Sequence, residues 1–201
     1  MLKLRQGAKV PFPEQLKEGY EQMEGRLIGN LSEEKVLPLM RDFLSLHEGE
    51  HLFFILEIPC TLDQQRAIAE KAGETAGLYK NVYYLDGCTP EQARDILEEV
   101  GQLALNDGMC SFGFGGHEAG DEVVFGAYNV LSVYGKQLDR LRKLLEQYGL
   151  SRVRNLVTAW NTFSREHPGE CSTVETGGKR VYDIPELLAD RGIYLAEQRE
   201  S

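Results

Sequence analysis

Apolar residues recur along the chain with two spacings, and each spacing predicts a different secondary structure. Spacings of three and four residues mark one buried face of a helix, and short apolar runs between Gly, Pro and Asn mark strands. The helical spacing predicts helices over 32–46, 61–76, 89–105, 136–148 and 184–190. The apolar runs predict strands over 26–31, 51–58, 81–85, 109–115, 122–134 and 153–163.

The two helices that follow the strands 51–58 and 81–85 resemble each other. At an offset of 28 residues, the segments 60–73 and 88–101 are identical at seven of fourteen positions. This similarity fits an internal duplication, and it equally fits two helices that need the same N-cap and the same buried face. In either case, the strand–helix–strand–helix order predicts parallel neighbouring strands with right-handed crossovers.

A Gly- and aromatic-rich block predicts an antiparallel hairpin at about 109–134. Because strand side chains alternate between faces, Ser111, Gly113 and Gly115 share one face, and the phenylalanines between them share the other. A face made of Ser and Gly lets a ligand, a packed helix or a neighbouring chain approach the backbone closely. Of these three we expect a packed helix.

The order of the elements predicts an α+β fold in one domain over 1–201. We expect a single mixed β-sheet with two βα units, the antiparallel hairpin and helices mainly on one face. Within it, 122–134 is apolar on both sides, which predicts one interior strand with a bulge near Gly126. Residues 1–31 form a turn-rich N-terminal segment, and 191–201 form a tail that either pairs or frays.

Charge and composition narrow the classes of function. The formal net charge of −10 argues against a nucleic-acid partner, because phosphate binding needs a cationic surface. No apolar stretch is long enough to span a membrane, and the start of the chain lacks the apolar segment of a signal peptide. No two of the four cysteines are closer than 22 residues, unlike the ligands of a zinc knuckle. We therefore predict a cytoplasmic protein with reduced thiols and no cofactor.

The turn between the hairpin strands carries most of the reactive side chains. His117, Asp121 and Glu122 lie within six residues and could bind a divalent metal, with Cys110 or Asn106 nearby. The surrounding glycines argue against the helix that an HExxH zinc motif requires. No metal site is predicted, with His117 and Asp121 as the candidates if there is one, and we expect these groups to be hydrated at the hairpin tip.

Cysteines and the remaining histidines supply a further hypothesis. If the two βα units are adjacent and parallel, Cys60 and Cys88 lie at the same sheet end, where helix N-termini would lower a thiol pKa. The preferred interpretation is that both cysteines are small hydrophobic residues. His47 and His51 flank a helix-to-strand turn, and we expect them on the surface rather than around a metal.

One segment departs from the acidic balance of the chain. Between 136 and 154 there are six basic and two acidic residues. Lys136, Arg140 and Lys143 fall on one helical face, opposite the leucines. This basic stripe is either a solvated face or a docking stripe for an acidic partner or a phosphate-bearing ligand.

Together these patterns favour a non-enzymatic cytosolic protein-interaction module of an immunity-like or regulatory kind. A protein partner is predicted, with the Ser/Gly face of the hairpin and the basic stripe as candidate binding surfaces, and the sequence leaves a homo-oligomer open. The first alternative is a small metal-assisted hydrolase centred on 106–122. The second is a thiol enzyme that uses Cys60 or Cys88.

Overall fold

The computed structural model describes residues 1–72 and 77–200 of the 201-residue chain. Its α-helices are α1 (Glu33–Ser45), α2 (Leu62–Ala72), α3 (Pro90–Asn106), α4 (Leu138–Gln147) and α5 (Ile184–Leu187). Its strands are β1 (Ala8–Lys9), β2 (Gly19–Met23), β3 (Arg26–Asn30), β4 (Leu52–Pro59), β5 (Tyr79–Cys88), β6 (Ser111–Gly116), β7 (Asp121–Phe125), β8 (Val130–Tyr134), β9 (Glu170–Cys171) and β10 (Tyr194–Glu200).

Eight strands form one large sheet in the order β10-β5-β4-β6-β7-β8-β3-β2, and β1 pairs with β9 in a small separate sheet. Within the described ranges, each of these strand pairings is antiparallel. The α+β class predicted from the sequence is confirmed.

One face of the large sheet carries the helices and the main hydrophobic core. α1 contacts β6 and β7, α3 contacts β4, β5 and β6, and α4 contacts β3. The sheet contributes buried phenylalanines to this core, namely Phe54, Phe112, Phe114 and Phe125. The prediction that the helices lie mainly on one face is confirmed, and in the described part of the chain the opposite face of the sheet carries no α-helix.

The connection through α2 is a long hairpin rather than a crossover. β4 and β5 are antiparallel neighbours, with Ile55 opposite Tyr84. The side chain of Asn81 on β5 donates a hydrogen bond to Gln64 on α2 at 3.1 Å, which holds the helix to the sheet. The prediction that these two strands are parallel neighbours is therefore wrong. A connection must cross over the sheet only when the strands it joins are parallel, so a helix can also connect antiparallel neighbours. The predicted end of this helix, 73–76, lies outside the described residues.

The predicted single strand 122–134 is wrong, because the segment forms two antiparallel strands, β7 and β8. The chain reverses over 126–129, where Tyr128 and Asn129 have φ angles of 55° and 63° in the left-handed region. The buried Asn129 side chain accepts a hydrogen bond from the backbone N–H of Arg5 at 2.9 Å. The N-terminal segment thus holds the turn in place, and no local sequence pattern revealed this contact.

The predicted strand 153–163 is also wrong. This segment is irregular and contains a 3-10 turn at Ala159–Asn161. Apart from a backbone bond from the Val153 N–H to the Tyr20 carbonyl, its backbone is bonded mostly by side chains: the Glu21 carboxylate accepts two of its N–H groups, and the Asn30 amide donates to one of its carbonyls. Side chains of the neighbouring strands therefore replace the hydrogen bonds that a strand would need.

Both ends of the chain are held by strand pairing. β1 pairs with β9, and β10 pairs with β5 at the edge of the large sheet. Of the two outcomes expected for the tail, pairing is therefore the one observed. Across the described ranges, no helix combines the length and the apolar character that crossing a membrane requires.

Leu131→Ala is expected to lower the free energy of unfolding by about 2–5 kcal/mol, because this β8 side chain is fully buried in the core. Leu62→Ala is the matched control: Leu62 is 71% exposed at the start of α2, and its loss should cost less than about 0.5 kcal/mol. Urea denaturation followed by circular dichroism measures both changes. A loss at Leu62 as large as that at Leu131 would contradict the described core.

Candidate functional site

The face of the large sheet opposite the helices is open. Strand register places two rows of neighbouring side chains on this face: Tyr84, Ile55, Gly113, Val124 and Ser132 in one, and Phe53, Gly115, Glu122 and Tyr134 in the other. No α-helix among the described residues packs against these rows. An antiparallel sheet tolerates one uncovered face, so the rows are available for binding.

A groove crosses this open face. Its main cavity has a volume of about 510 Å³, and a depression of about 280 Å³ beside it shares Trp160 and Ser111. We call the two together the sheet groove, which is lined by Glu57, Lys80, Tyr84, Glu122, Trp160 and Arg199 among others. A volume of this order is typical of ligand-binding clefts.

A paired carboxylate forms part of the floor of the sheet groove. Glu57 of β4 is 9% exposed, and its Oε2 lies 2.6 Å from Lys80 Nζ. Arg199 of β10 donates to the other oxygen of the same carboxylate. Because a buried carboxylate needs such partners, this cluster ties β10 to β4 across the intervening strand β5.

A second carboxylate in the sheet groove, that of Glu122, is half-buried and has no ion pair within the described ranges. Burial raises the pKa of Glu122, and the negative charge of Glu57 raises it further, while Arg199 opposes both. Its cross-strand neighbours are Gly115 and Tyr134. The groove therefore presents an acidic group that would gain from contact with a cation.

Aromatic side chains flank the two carboxylates. Trp160 is 58% exposed and packs edge-on against Tyr128, with ring centroids 5.0 Å apart. Tyr134 is 40% exposed, and Phe53 packs against Tyr84 at 5.7 Å. Exposed Trp and Tyr are typical of residues that dominate binding energy, and the faces of their rings attract cations.

The predicted Ser/Gly face exists, but the helix expected on it is wrong. Ser111 lines the sheet groove. At Gly113 a Cβ would lie 2.0 Å from the carbonyl oxygen of Val123, and at Gly115 it would lie 2.2 Å from the Phe53 ring. The two glycines are therefore required by close packing within the sheet itself, whereas the helices bury the phenylalanine face.

The residues of the hypothesised metal site do not come together. His117 lies on the surface with its Nε2 3.2 Å from Asp86 Oδ1. Asp121 and Glu122 are successive residues of β7, so their side chains point to opposite faces of the sheet. In the part of the chain that the structure describes, no three His, Cys, Asp or Glu side chains are placed to hold a metal.

The expectation that Asp121 is a hydrated tip group is wrong, as is the surface position expected for His47. His47 is fully buried, with Nε2 3.2 Å from Asp121 Oδ1, although without hydrogen-bond alignment, and Nδ1 3.4 Å from Glu50 Oε2. Burial raises the pKa of Asp121, while His47 and Arg140 lower it. Because Glu50 also accepts the backbone N–H of Ala119, this enclosed cluster fastens the β6–β7 turn to the end of α1.

The cysteines are placed unfavourably for thiol chemistry. Cys60 follows the end of β4, whereas Cys88 lies opposite Leu52 at its beginning, so the expectation of one shared sheet end is wrong. Burial raises the pKa of Cys60, that of Cys88 to about 11 and that of Cys110 to about 12. A raised pKa leaves little of the reactive thiolate at neutral pH.

The remaining candidates lie away from the sheet groove. Lys136, Arg140 and Lys143 line a separate cavity beside the start of α4, on the helix-bearing side of the sheet. Asn106 ends α3, where its side-chain amide donates to Thr176 Oγ1 at 3.0 Å. His51 is exposed, as predicted.

Sequence reasoning missed most residues of the sheet groove, and one of them carried a signal. Glu57 is the single charge in the otherwise apolar strand LFFILEIP, and a charge in such a strand indicates a buried ionic partner. Trp160 and Arg199 carried no equivalent signal. Their positions depend on an irregular segment and on the pairing of β10 with β5.

Comparisons with protein-family profiles, with curated proteins and with solved structures found no match to this chain. The function of the protein must therefore be inferred from the geometry of its own residues.

Glu122→Gln is expected to stabilise the protein near neutral pH, because the substitution removes a charge that burial disfavours. The pKa of Glu122 is higher in the folded state than in the unfolded state, so the unfolded state loses this proton first as pH rises. The wild type therefore loses stability as pH rises from below 4.5 through the raised pKa. Urea denaturation between about pH 3.5 and about pH 7.5 measures the difference between the two proteins, which should grow with pH. Glu118→Gln, in the exposed β6–β7 turn, controls for the loss of one charge, and a difference that does not vary with pH would contradict the buried placement.

Cys88 and Cys110 are expected to resist a disulfide reagent at about pH 7.5 until the protein unfolds, because burial raises the pKa of both thiols. Mass spectrometry of the labelled peptides identifies which cysteines have reacted. The same protein in guanidinium, in which all four cysteines should react, is the control. Rapid reaction of Cys88 in the folded protein would restore the thiol-enzyme hypothesis, and rapid reaction of Cys110 would contradict its buried position.

Proposed function

We propose that this protein is a non-enzymatic protein-interaction module that binds a basic segment of a partner in the sheet groove. The observation that carries the proposal is the half-buried Glu122 carboxylate, which has no ion pair among the described residues and lies opposite Tyr134 in the sheet groove. Neither enzyme hypothesis has comparable support, because the residues of each are dispersed over the fold.

A cationic side chain is the partner that Glu122 lacks. Desolvation disfavours its charged form, and a Lys or Arg side chain within hydrogen-bond distance would offset that cost. The other acid of the groove, Glu57, already has Lys80 and Arg199. Of the two acids in the groove, only Glu122 is therefore without a cationic partner among the described residues. This favours the binding of one cationic side chain at Glu122 over a general attraction of positive charge to the acidic surface.

The aromatic residues favour the same kind of occupant. Trp160 and Tyr134 are large, partly exposed and line the sheet groove together with Glu122. They can cover the aliphatic part of a Lys or Arg side chain and attract its charged end. A groove lined by a carboxylate together with aromatic rings therefore suits a basic side chain better than an acidic or purely apolar one.

The charge of the whole protein supports a basic protein partner. A net charge of −10 accelerates encounters with positively charged surfaces and disfavours nucleic acid. We also propose a cytoplasmic location, since all four cysteines are unpaired and three of them are buried. An immunity-like or regulatory role fits a protein that acts by binding another protein.

A synthetic decapeptide rich in Arg and Lys tests the proposal, with fluorescence of Trp160, the single tryptophan of the chain, as the readout. The peptide is expected to change the Trp160 emission and to bind less tightly as salt increases. Glu122→Gln should raise the Kd by about tenfold, the effect of losing one charge-assisted hydrogen bond.

Glu118→Gln is the matched control, because it removes the same charge from a position outside the groove. It should leave the Kd within about twofold of the wild type, as for an exposed charge. Equal weakening by both substitutions would indicate attraction to the overall charge and would refute the groove as the binding site. Binding without any change in Trp160 emission would refute it as well.

A further inference from the structure

A second and larger cavity lies on the helix-bearing side of the molecule. Its volume is about 1160 Å³, and its walls come from β2 and the β2–β3 turn, from Leu46 at the end of α1, from the β8–α4 connection and from one side of α4 along its length. This places it away from the sheet groove, because the α-helices pack on the opposite face of the sheet. Its volume is slightly above the typical range for small-molecule sites.

Three cationic side chains, those of Lys136, Arg140 and Lys143, line this cavity. Within residues 1–72 and 77–200, none of them lies within the 4.0 Å of a carboxylate oxygen that defines an ion pair. Among the described residues that line the cavity, Asp139 is the only acidic one, and its carboxylate is 3.3 Å from the guanidinium of Arg142. The cavity is thus strongly cationic in a protein that carries a net charge of −10.

One further carboxylate lies behind the wall of this cavity. Asp121 approaches the lining at Gly135, where an added Cβ would lie 2.9 Å from Asp121 Cβ. Asp121 is buried and pairs with His47, and Arg140 lies near enough to lower the pKa of its carboxyl. Because one partly shared carboxylate cannot balance three cations, the lining keeps an excess of positive charge.

The remaining polar lining consists of neutral hydrogen-bond donors. Gln22, Gln137 and Gln147 contribute side-chain amides, each of which can donate to an anionic oxygen. Arg140 and Lys143 are three residues apart on α4, about 4.5 Å along the helix axis. This spacing lets the two cations contact neighbouring phosphoryl groups of one ligand, and the guanidinium can bind two oxygens of the same group.

We propose that this cavity binds a small molecule carrying two or more phosphoryl groups. Lys136, Arg140 and Lys143 neutralise the charge, and the glutamine amides bind the remaining oxygens. The three cations share one open cavity rather than following an extended stripe, and this compact arrangement suits a compact ligand with high charge density. This site is independent of the sheet groove and of the function proposed for it.

Isothermal titration calorimetry of the full chain with inorganic tripolyphosphate tests this site. The wild type is expected to bind in the micromolar range at low salt. The double variant Arg140→Gln/Lys143→Gln should weaken binding by about 100-fold, that is, about tenfold for each charge-assisted contact. Glu122→Gln should bind tripolyphosphate as tightly as the wild type, because that residue lies in the sheet groove.

Arg154→Gln/Lys179→Gln is the matched control, since it removes two exposed basic charges that lie outside the cavity. It should change the Kd by less than about threefold, and thermal unfolding should show that both double variants are folded. Equal weakening by the two double variants would overturn the proposal, as would the absence of binding to the wild type. Citrate serves as a second probe: tighter binding of this tricarboxylate than of tripolyphosphate would overturn the assignment to phosphoryl groups.

Discussion

The burial of one face of the large sheet against α1, α3 and α4 is the constraint on which the rest of this structure depends. The phenylalanines of β6 fill that core, and the alternation of strand side chains then sends Ser111, Gly113 and Gly115 to the other face. The same alternation on β7 separates Asp121 from Glu122. The packing of the core therefore creates the sheet groove and also disperses the residues that the hydrolase hypothesis brought together.

The carboxylates on the two faces of the sheet differ in their burial and in their charged partners. On the covered face, Asp121 is enclosed with His47, and the cluster holds a turn to the end of α1. On the open face, Glu57 has two cationic partners, whereas Glu122 has none in the described part of the chain. An acid that is unfavourable for stability and lies in a groove is typical of a functional position, where local stability is often sacrificed for binding.

Only some residues of the sheet groove and of the cationic cavity could be predicted from the sequence. The Ser/Gly face and the basic stripe follow from strand and helix periodicity, and Ser111 of the first and all three cations of the second line cavities in the folded protein. The pairing of Glu57 with Arg199 joins residues 142 positions apart. The reversal at 126–129 depends on left-handed residues, one of them Tyr128, and on a contact of Asn129 with the N-terminal segment. Such partners are distant in the sequence, so neither local propensity nor periodicity could predict them.

The α+β class, the amphipathic helices, the inward phenylalanines of β6 and the cationic stripe at the start of α4 were determined by the sequence alone, because periodicity acts between residues a few positions apart. Tertiary structure alone decided the antiparallel order of β4 and β5, the pairing of β10 with β5, and which charged side chains are buried together. Strand direction and burial depend on contacts between distant segments, and these exist only once the helices have covered one face of the sheet.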